Sequence, residues 1–132
     1  RLVRGLIRED KVSAVHDVSD GGLLIAVAEM ALAGGEDGQG RGMGVELFPY
    51  EGKLPAHAIW FGEDQGRYVL SVTPKDAEEV LERARLLALP ARIVGRVGGD
   101  RLALKSEAFL PLDELRSAHE SWLPGFMGEG PA

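Results

Sequence analysis

The chain has 132 residues, of which 45% are hydrophobic and 27% are charged, so it is long enough to form one globular domain with its own core. Its net charge of -6 disfavours nucleic-acid and anionic-membrane partners, because both require a basic surface. The absence of cysteine excludes disulfides, thiolate metal sites and a cysteine nucleophile.

No apolar run approaches the length of a membrane span, and the segment Arg1 to Arg4 lacks the apolar core of a signal peptide. These features predict a cytoplasmic protein without a membrane partner. The chain does not begin with methionine, which predicts a segment cut from a longer protein. Residues 1–127 are expected to form a single domain, and the glycine-rich residues 128–132 a flexible tail.

Hydrophobic periodicity and the positions of glycine and proline predict five helices and five strands. In chain order these are helix 1–9, strand 13–15, helix 23–32, strand 45–48, helix 54–61, strand 67–73, helix 74–87, strand 91–97, strand 101–105 and helix 112–123. Gly98-Gly99-Asp100 predicts a hairpin between the last two strands, and residues 34–44 a flexible loop. The predicted fold is α/β (α+β), with a mixed β-sheet covered by helices.

The richest polar run follows the first predicted strand and consists of His16, Asp17, Val18, Ser19, Asp20, Gly21 and Gly22. Asp20 or Ser19 can cap the following helix, and the two glycines allow a tight turn that approaches a ligand closely. Such a loop can cradle a phosphate, with Asp17 or Asp20 holding a hard cation. The alternative is a purely structural turn, in which Asp20 is only a cap and His16 only a strand-end side chain.

A second polar run, from Gly62 to Arg67, stands just before a strongly β-prone segment and includes Glu63, Asp64 and Gln65. Polar groups therefore cluster again at the start of a strand. The alternative here is that the two glycines only punctuate a loop and that Arg67 only pairs with Glu63.

Together, His-Asp-Val-Ser-Asp-Gly-Gly-Leu and Gly-Glu-Asp-Gln-Gly-Arg-Tyr, in this order and spacing, resemble phosphoribosylformylglycinamidine synthase. The resemblance is to its carboxy-terminal AIR-synthase-related domain. It extends to the amphipathic lead-in, Ala33-Gly34-Gly35, the run from Val94 to Asp100 and the closing Leu112-Asp113-Glu114-Leu115. The family fold agrees with the mixed sheet covered by helices.

The resemblance implies a ligase of purine biosynthesis, which converts formylglycinamide ribonucleotide, ATP and glutamine-derived ammonia to formylglycinamidine ribonucleotide. It implies ATP and Mg²⁺ as cofactors of the full enzyme. The implied partners are the amino-terminal ATP-binding domains of the same enzyme and a glutaminase subunit or domain. The flexible tail favours a separate glutaminase subunit. No catalytic residue is expected in this chain, which alone should be inactive.

The motif His16 to Asp20 resembles the second of two copies of this domain type in the synthetase. In the first copy the residue matching Asp17 helps to hold magnesium, whereas in the second copy the equivalent pocket holds a structural nucleotide in some members. The resemblance therefore implies an auxiliary nucleotide or phosphate loop formed by His16, Asp17, Ser19, Asp20, Gly21, Gly22, Glu63, Gln65 and Arg67. Asp17 and Asp20 are the candidate metal ligands. Asp64 departs from the serine usual in the family and adds a carboxylate.

Two alternatives remain at this stage. One is a non-enzymatic module that packs against neighbouring domains or binds a structural nucleotide. The other is the same domain type from another member of the AIR-synthetase superfamily. Trp122, Phe126 and Met127 cluster near the terminus and are expected to cover a neighbouring domain.

Overall fold

The computed structural model describes residues 1–34, 42–104 and 108–128, in which the helices and strands follow the predicted order with one additional strand. The elements are α1 (Leu2–Arg8), β1 (Ala14–Val18), α2 (Gly22–Ala33), β2 (Val45–Leu47), α3 (Ala56–Phe61), β3 (Arg67–Ser71), α4 (Pro74–Leu86), β4 (Gly95–Val97), β5 (Arg101–Leu104), β6 (Ala108–Pro111) and α5 (Leu112–Phe126). The chain groups into two compact units. Unit 1 comprises Arg1–Ala26 and His57–Val94, and unit 2 comprises the described residues of Val27–Ala56 and Gly95–Ala132.

Unit 1 contains a two-stranded antiparallel sheet of β1 and β3, in which Ala14 lies opposite Ser71 and Val18 opposite Arg67. Side chains alternate along a strand, so His16 and Val18 lie on one face of this sheet and Asp17 on the other. The apolar side chains buried in unit 1 are Leu6, Val18, Leu23, Ala26, Ile59, Trp60, Val80 and Ala84.

Ion pairs join the end of α1 to α4. The Nζ of Lys11 lies 2.9 Å from both Asp76 Oδ1 and Glu79 Oε2. Arg83 extends the network, because its guanidinium lies 2.6 Å from Glu9 and 2.6 Å from Glu79. Hydrogen bonds donated by Lys11 lower the pKa of the Asp76 and Glu79 carboxyls below their ordinary values, and the same bonds raise the pKa of Lys11.

Unit 2 contains a four-stranded mixed sheet in the order β4-β2-β5-β6. The pairing of β2 with β5 is parallel, and the other two pairings are antiparallel. Its core includes two leucines that are almost fully excluded from solvent, Leu47 on β2 and Leu112 at the start of α5. A hydrogen bond of 2.8 Å from Arg116 Nη2 to the carbonyl of Leu32 links α5 to the end of α2.

The hairpin predicted at Gly98-Gly99-Asp100 is wrong, because β4 and β5 do not pair with each other. They lie on opposite sides of β2, where Val45 is aligned with Val97 on one side and with Leu102 on the other. The turn between them passes the start of β2 and bonds to it, with the Gly98 N–H donating to Gly44 O and the Gly44 N–H to Gly99 O. A Cβ at Gly44 would lie 2.7 Å from these backbone atoms, so only glycine allows the approach.

Other boundaries also differ from the prediction. The strand predicted over 91–97 is limited to Gly95–Val97, and β6, which was not predicted, pairs with β5. Helix α5 continues past Pro124 to Phe126, and beyond the proline the Met127 N–H still donates to Leu123 O. Residues 35–41, 105–107 and 129–132, which include most of the predicted loop and tail, lie outside the described residues. The single-domain assignment of 1–127 stays a prediction.

Every helix in the described ranges is too short or too polar to cross a lipid bilayer.

The first prediction concerns the ion pairs of α1 and α4. Because the folded-state pKa values of Asp76 and Glu79 lie below their ordinary 3.8 and 4.5, their contribution to stability is full above about pH 4.5 and disappears as the pH falls through the lowered values. Replacing Lys11 with Met should flatten this acid dependence, as measured by urea unfolding between pH 2.5 and 6. Lys53→Met is the control, and an equal acid dependence in both variants would contradict the assignment.

The second prediction concerns Gly22, where the chain has φ +73° and a Cβ would lie 2.6 Å from the backbone of Phe61. Gly66 has nearly the same conformation, φ +79°, but open space around it. Gly66→Ala should therefore cost only the left-handed strain, about 1–2 kcal/mol of unfolding free energy. Gly22→Ala adds a backbone clash and should cost about 3 kcal/mol or more. Equal losses would show that the close approach to Phe61 does not matter.

Candidate functional site

The antiparallel register of β1 and β3 brings the two polar motifs to the same end of the small sheet. Val18, the last residue of β1, lies opposite Arg67, the first residue of β3. The turn that leaves β1 and the loop that enters β3 are therefore neighbours, although 42 residues separate Gly21 from Glu63. Tertiary structure thus joins two segments that the sequence shows only as separate polar runs.

A direct hydrogen bond connects these two loops. The backbone N–H of Gly21 donates to Oε1 of Glu63 at 2.9 Å. In the same turn the Gly22 N–H donates to the carbonyl of Ser19 at 3.1 Å, and Gly21 has φ +78°, as the third residue of a type II turn requires. The Glu63 carboxylate thereby lies at the amino-terminal end of α2, where the helix dipole favours negative charge.

This arrangement corrects the predicted cap. Helix α2 begins at Gly22, so Asp20 precedes it by two residues and Ser19 by three, outside the N-cap position. The side-chain acceptor at this turn is Glu63, from the other motif. Asp20 is exposed to solvent in the turn.

Arg67 holds its own loop together rather than pairing with Glu63. Its Nη2 donates to the carbonyl of Gly62 and lies 3.7 Å from Oδ2 of Asp64. Its Nε also contacts the Asp64 carbonyl at 3.5 Å. The unusual carboxylate of Asp64 is therefore partly compensated by a neighbouring guanidinium.

The alternation of β1 separates the candidate residues between two faces of the sheet. Asp17 is aligned with Tyr68, whereas His16 is aligned with Val69 on the opposite face, the face that also carries Arg67. The structure therefore does not bring the side chains of Asp17 and Arg67 to the same face. Nδ1 of His16 lies 2.6 Å from the Asp17 carbonyl, and because a carbonyl only accepts, this nitrogen must carry the hydrogen.

Tyr68 was not singled out from the sequence, yet it is the cross-strand neighbour of Asp17 and is 57% exposed. An exposed tyrosine ring next to an exposed carboxylate can stack a flat ligand whose charged end lies near the carboxylate. The alternation of side chains along β3 identifies Tyr68 as this neighbour, but only once the register of β3 against β1 is known.

Carboxylates dominate the charge of this end of unit 1. Asp17, Asp20, Glu63 and Asp64 lie in or next to the two loops, against the single guanidinium of Arg67. Among the residues that the structure describes, no group of three or more His, Cys, Asp or Glu side chains could by itself hold a metal ion. A cation bound by Asp17 and Asp20 would therefore take most of its oxygen ligands from water or from phosphate, as Mg²⁺ commonly does.

Comparison with known families now identifies the domain. Residues 1–106 match the profile described as AIR synthase related protein, C-terminal domain. The chain is 44% identical to the phosphoribosylformylglycinamidine synthase subunit PurL of Azorhizobium caulinodans over 127 residues, and 47% identical to that of Methylocella silvestris over 126 residues. Each match covers 96% of this chain but only 16% of the relative, so the chain spans about one-sixth of the length of these proteins.

The fold is also similar to solved structures. Structures of Thermotoga maritima PurL complexed with FGAR and with ATP each superpose on this chain with a TM-score of 0.69 at 22% identity. They cover 86% of this chain and 19% and 20% of those chains. At this identity the likeness establishes the fold. Since the profile covers residues 1–106 and the relatives match nearly the whole chain, the chain belongs to the family of the carboxy-terminal domain of AIR synthase related proteins.

Proposed function

We propose that this chain is the carboxy-terminal domain of a phosphoribosylformylglycinamidine synthase of the PurL type. The identity of 44–47% to PurL subunits over 96% of the chain supports this assignment over another member of the superfamily. The full enzyme would use ATP and ammonia from glutamine to convert formylglycinamide ribonucleotide to formylglycinamidine ribonucleotide. We place it in the cytoplasm, where this nucleotide chemistry has its substrates.

Within that enzyme, this domain would have a structural and ligand-positioning role and would not supply catalytic residues. It has no cysteine for releasing ammonia from glutamine, and its two polar loops are joined to each other by the hydrogen bond from Gly21 to Glu63. The amino-terminal ATP-binding domains of the same polypeptide would supply the catalytic nucleotide site. A glutaminase would supply ammonia, and a separate subunit is favoured because the relatives are themselves named as a subunit. A solved assembly titled PurLQS from Thermotoga maritima agrees with such a partner.

We further propose that the joined loops form an auxiliary site for a magnesium-bound nucleotide. The observation that carries this proposal is the hydrogen bond from the Gly21 N–H to Glu63, because it holds a carboxylate at the turn that leads into α2, and this carboxylate repels a free phosphate. A phosphate could approach these carboxylates only with a cation to offset the repulsion. Asp17 and Asp20 would share that Mg²⁺, and the exposed ring of Tyr68 would support the base.

His16, Ser19, Gln65 and Arg67 have supporting roles in this proposal. Arg67 holds the loop that presents Glu63, and the Ser19 carbonyl closes the turn that presents Gly21. The Nδ1 contact of His16 holds its ring against the Asp17 backbone carbonyl. Gln65 is exposed next to Gly66 and is available to a ligand from solvent.

The same hydrogen bond also favours a second candidate function, a joint that only orders the domain. In that case Glu63 permanently accepts the Gly21 N–H in the turn before α2, and no ligand enters. The two functions differ in whether a nucleotide stabilises the folded chain.

The third prediction tests this difference by thermal unfolding of the chain with Mg²⁺ alone, MgATP or MgADP. A ligand that binds only the folded state at 100 times its Kd adds about 2.7 kcal/mol, which should raise the Tm by several degrees. Asp17→Asn should abolish the shift because it removes a negatively charged Mg²⁺ ligand. Asp113→Asn, an exposed position on α5, should leave it unchanged.

If MgATP and MgADP leave the Tm unchanged, the loops act as a structural joint in this chain. If the shift persists in Asp17→Asn, the nucleotide binds elsewhere and the assigned site is wrong. If ATP without Mg²⁺ gives the full shift, the role assigned to the cation is wrong.

The fourth prediction is that the 132-residue chain does not hydrolyse ATP or form product by itself. Phosphate release in the presence of MgATP, formylglycinamide ribonucleotide and ammonia should equal that of a sample without protein. Release that is abolished by Asp17→Asn but retained in Asp113→Asn would show that the domain has its own catalytic site, and would overturn the positioning role.

A further inference from the structure

We propose that the exposed apolar face at the end of α5 docks onto the remainder of the synthetase polypeptide. This face, called here the α5 end face, consists of Trp122, Leu123, Phe126 and Met127. The inference rests on the proposed function, because it requires that the chain be one domain of a longer PurL-type protein. It adds the surface and the residues through which this domain would contact the rest of that protein.

Burial changes abruptly along α5. Its first turn is anchored, since Leu112 is buried and the Arg116 guanidinium bonds to the Leu32 carbonyl. Beyond Arg116, every described residue from Ser117 to Gly128 is exposed. The last turns of the helix therefore extend beyond the part that packs on unit 2.

The exposed turns nevertheless continue the apolar side of the helix. Each residue advances about 100° around an α-helix, so Leu112, Leu115, Trp122 and Phe126 fall within a sector of about 80°. Leu123 and Met127 extend this sector on its other side, whereas Ser117 and Ser121 point away from it. A helix that keeps its apolar side after leaving its own core is typical of a helix that packs against a second surface.

The aromatic pair is already ordered for contact. The rings of Trp122 and Phe126, one helical turn apart, stack with centroids 5.5 Å apart and planes inclined by 9°. The two residues are 67% and 74% exposed. Aromatic side chains with few rotatable bonds lose little entropy on binding and dominate the energetics of interfaces.

The size of the face favours an intramolecular partner over a second copy of the chain. Its four side chains expose roughly 500 Å², estimated from the area that buried aromatic residues typically contribute. Stable association of separate proteins needs about 800 Å² from each partner. A tethered domain needs less, because the linker supplies a high local concentration. About five-sixths of the relatives' length lies outside the matched segment, and the rest of such a polypeptide would provide a tethered partner.

The position of α5 relative to the family match points the same way. The shared domain profile ends at residue 106, whereas the PurL relatives match 96% of the chain and so continue into α5. Helix α5 is thus part of what this chain shares with PurL subunits beyond the common domain. An apolar face on such an element suits a contact specific to the PurL polypeptide.

The fifth prediction compares hydrogen exchange of the α5 amides in the full-length synthetase and in the 132-residue chain. Docking should slow exchange in the segment 117–126 about tenfold or more in the full-length protein. Trp122→Glu and Phe126→Glu, tested separately, should each remove this protection because a carboxylate cannot be buried there without a partner. Ser121→Glu, which adds the same charge on the opposite side of the helix, should leave it intact.

Equal exchange of this segment in the two proteins would overturn the proposal. Concentration-dependent protection in the 132-residue chain, removed by Trp122→Glu, would assign the face to a second copy instead. The assay is separable from the proposed function, because synthesis of formylglycinamidine ribonucleotide by the full-length protein is measured independently. Protection without synthesis would refute the proposed function, and synthesis without protection would refute the docking face. Unchanged exchange around Leu47, which is buried in the core of unit 2, verifies that the unit carrying α5 remains folded in each variant.

Discussion

The candidate site depends on one constraint, the antiparallel pairing of β1 with β3. This register places the end of one strand beside the start of the other, so a turn with two glycines meets a loop rich in carboxylates. The hydrogen bond from Gly21 to Glu63 then fixes the two loops together. The close approach of Gly22 to Phe61 allows no side chain, which explains why this junction uses glycine at a left-handed position.

The charge of the junction limits what it can bind. A helix terminus with a glycine turn is ordinarily a ready anion site, but here the turn that leads into α2 already binds the Glu63 carboxylate through the Gly21 N–H. Further carboxylates surround it, and Arg67 is engaged with its own loop. We therefore propose that this junction takes a hard cation carrying a polyphosphate and not a free anion. On this proposal, the residues that resemble a phosphate loop in the sequence favour a cation-bound phosphate over a free phosphate in the folded structure.

The two units use their polar and apolar surfaces differently. In unit 1 a network of Lys11 and Arg83 with acidic partners joins α1 to α4, so charge stabilises local packing. In unit 2 the end of α5 leaves the core while its apolar side continues through Trp122 and Phe126. The chain spans about one-sixth of the length of its relatives, and on the proposed function such an exposed apolar surface would contact the rest of the longer protein.

The sequence by itself determined the alternation of helices and strands, the family and the two motifs, because periodicity, glycine and proline positions and motif order are local properties. Only the tertiary structure decided that β2 lies between β4 and β5, since a glycine turn shows where the chain reverses but not which strands pair. The same holds for the site. The sequence predicted Asp20 or Ser19 as the acceptor before α2, whereas the structure has Glu63 there. It also aligns Tyr68 with Asp17. Both relations depend on strand register across distant segments.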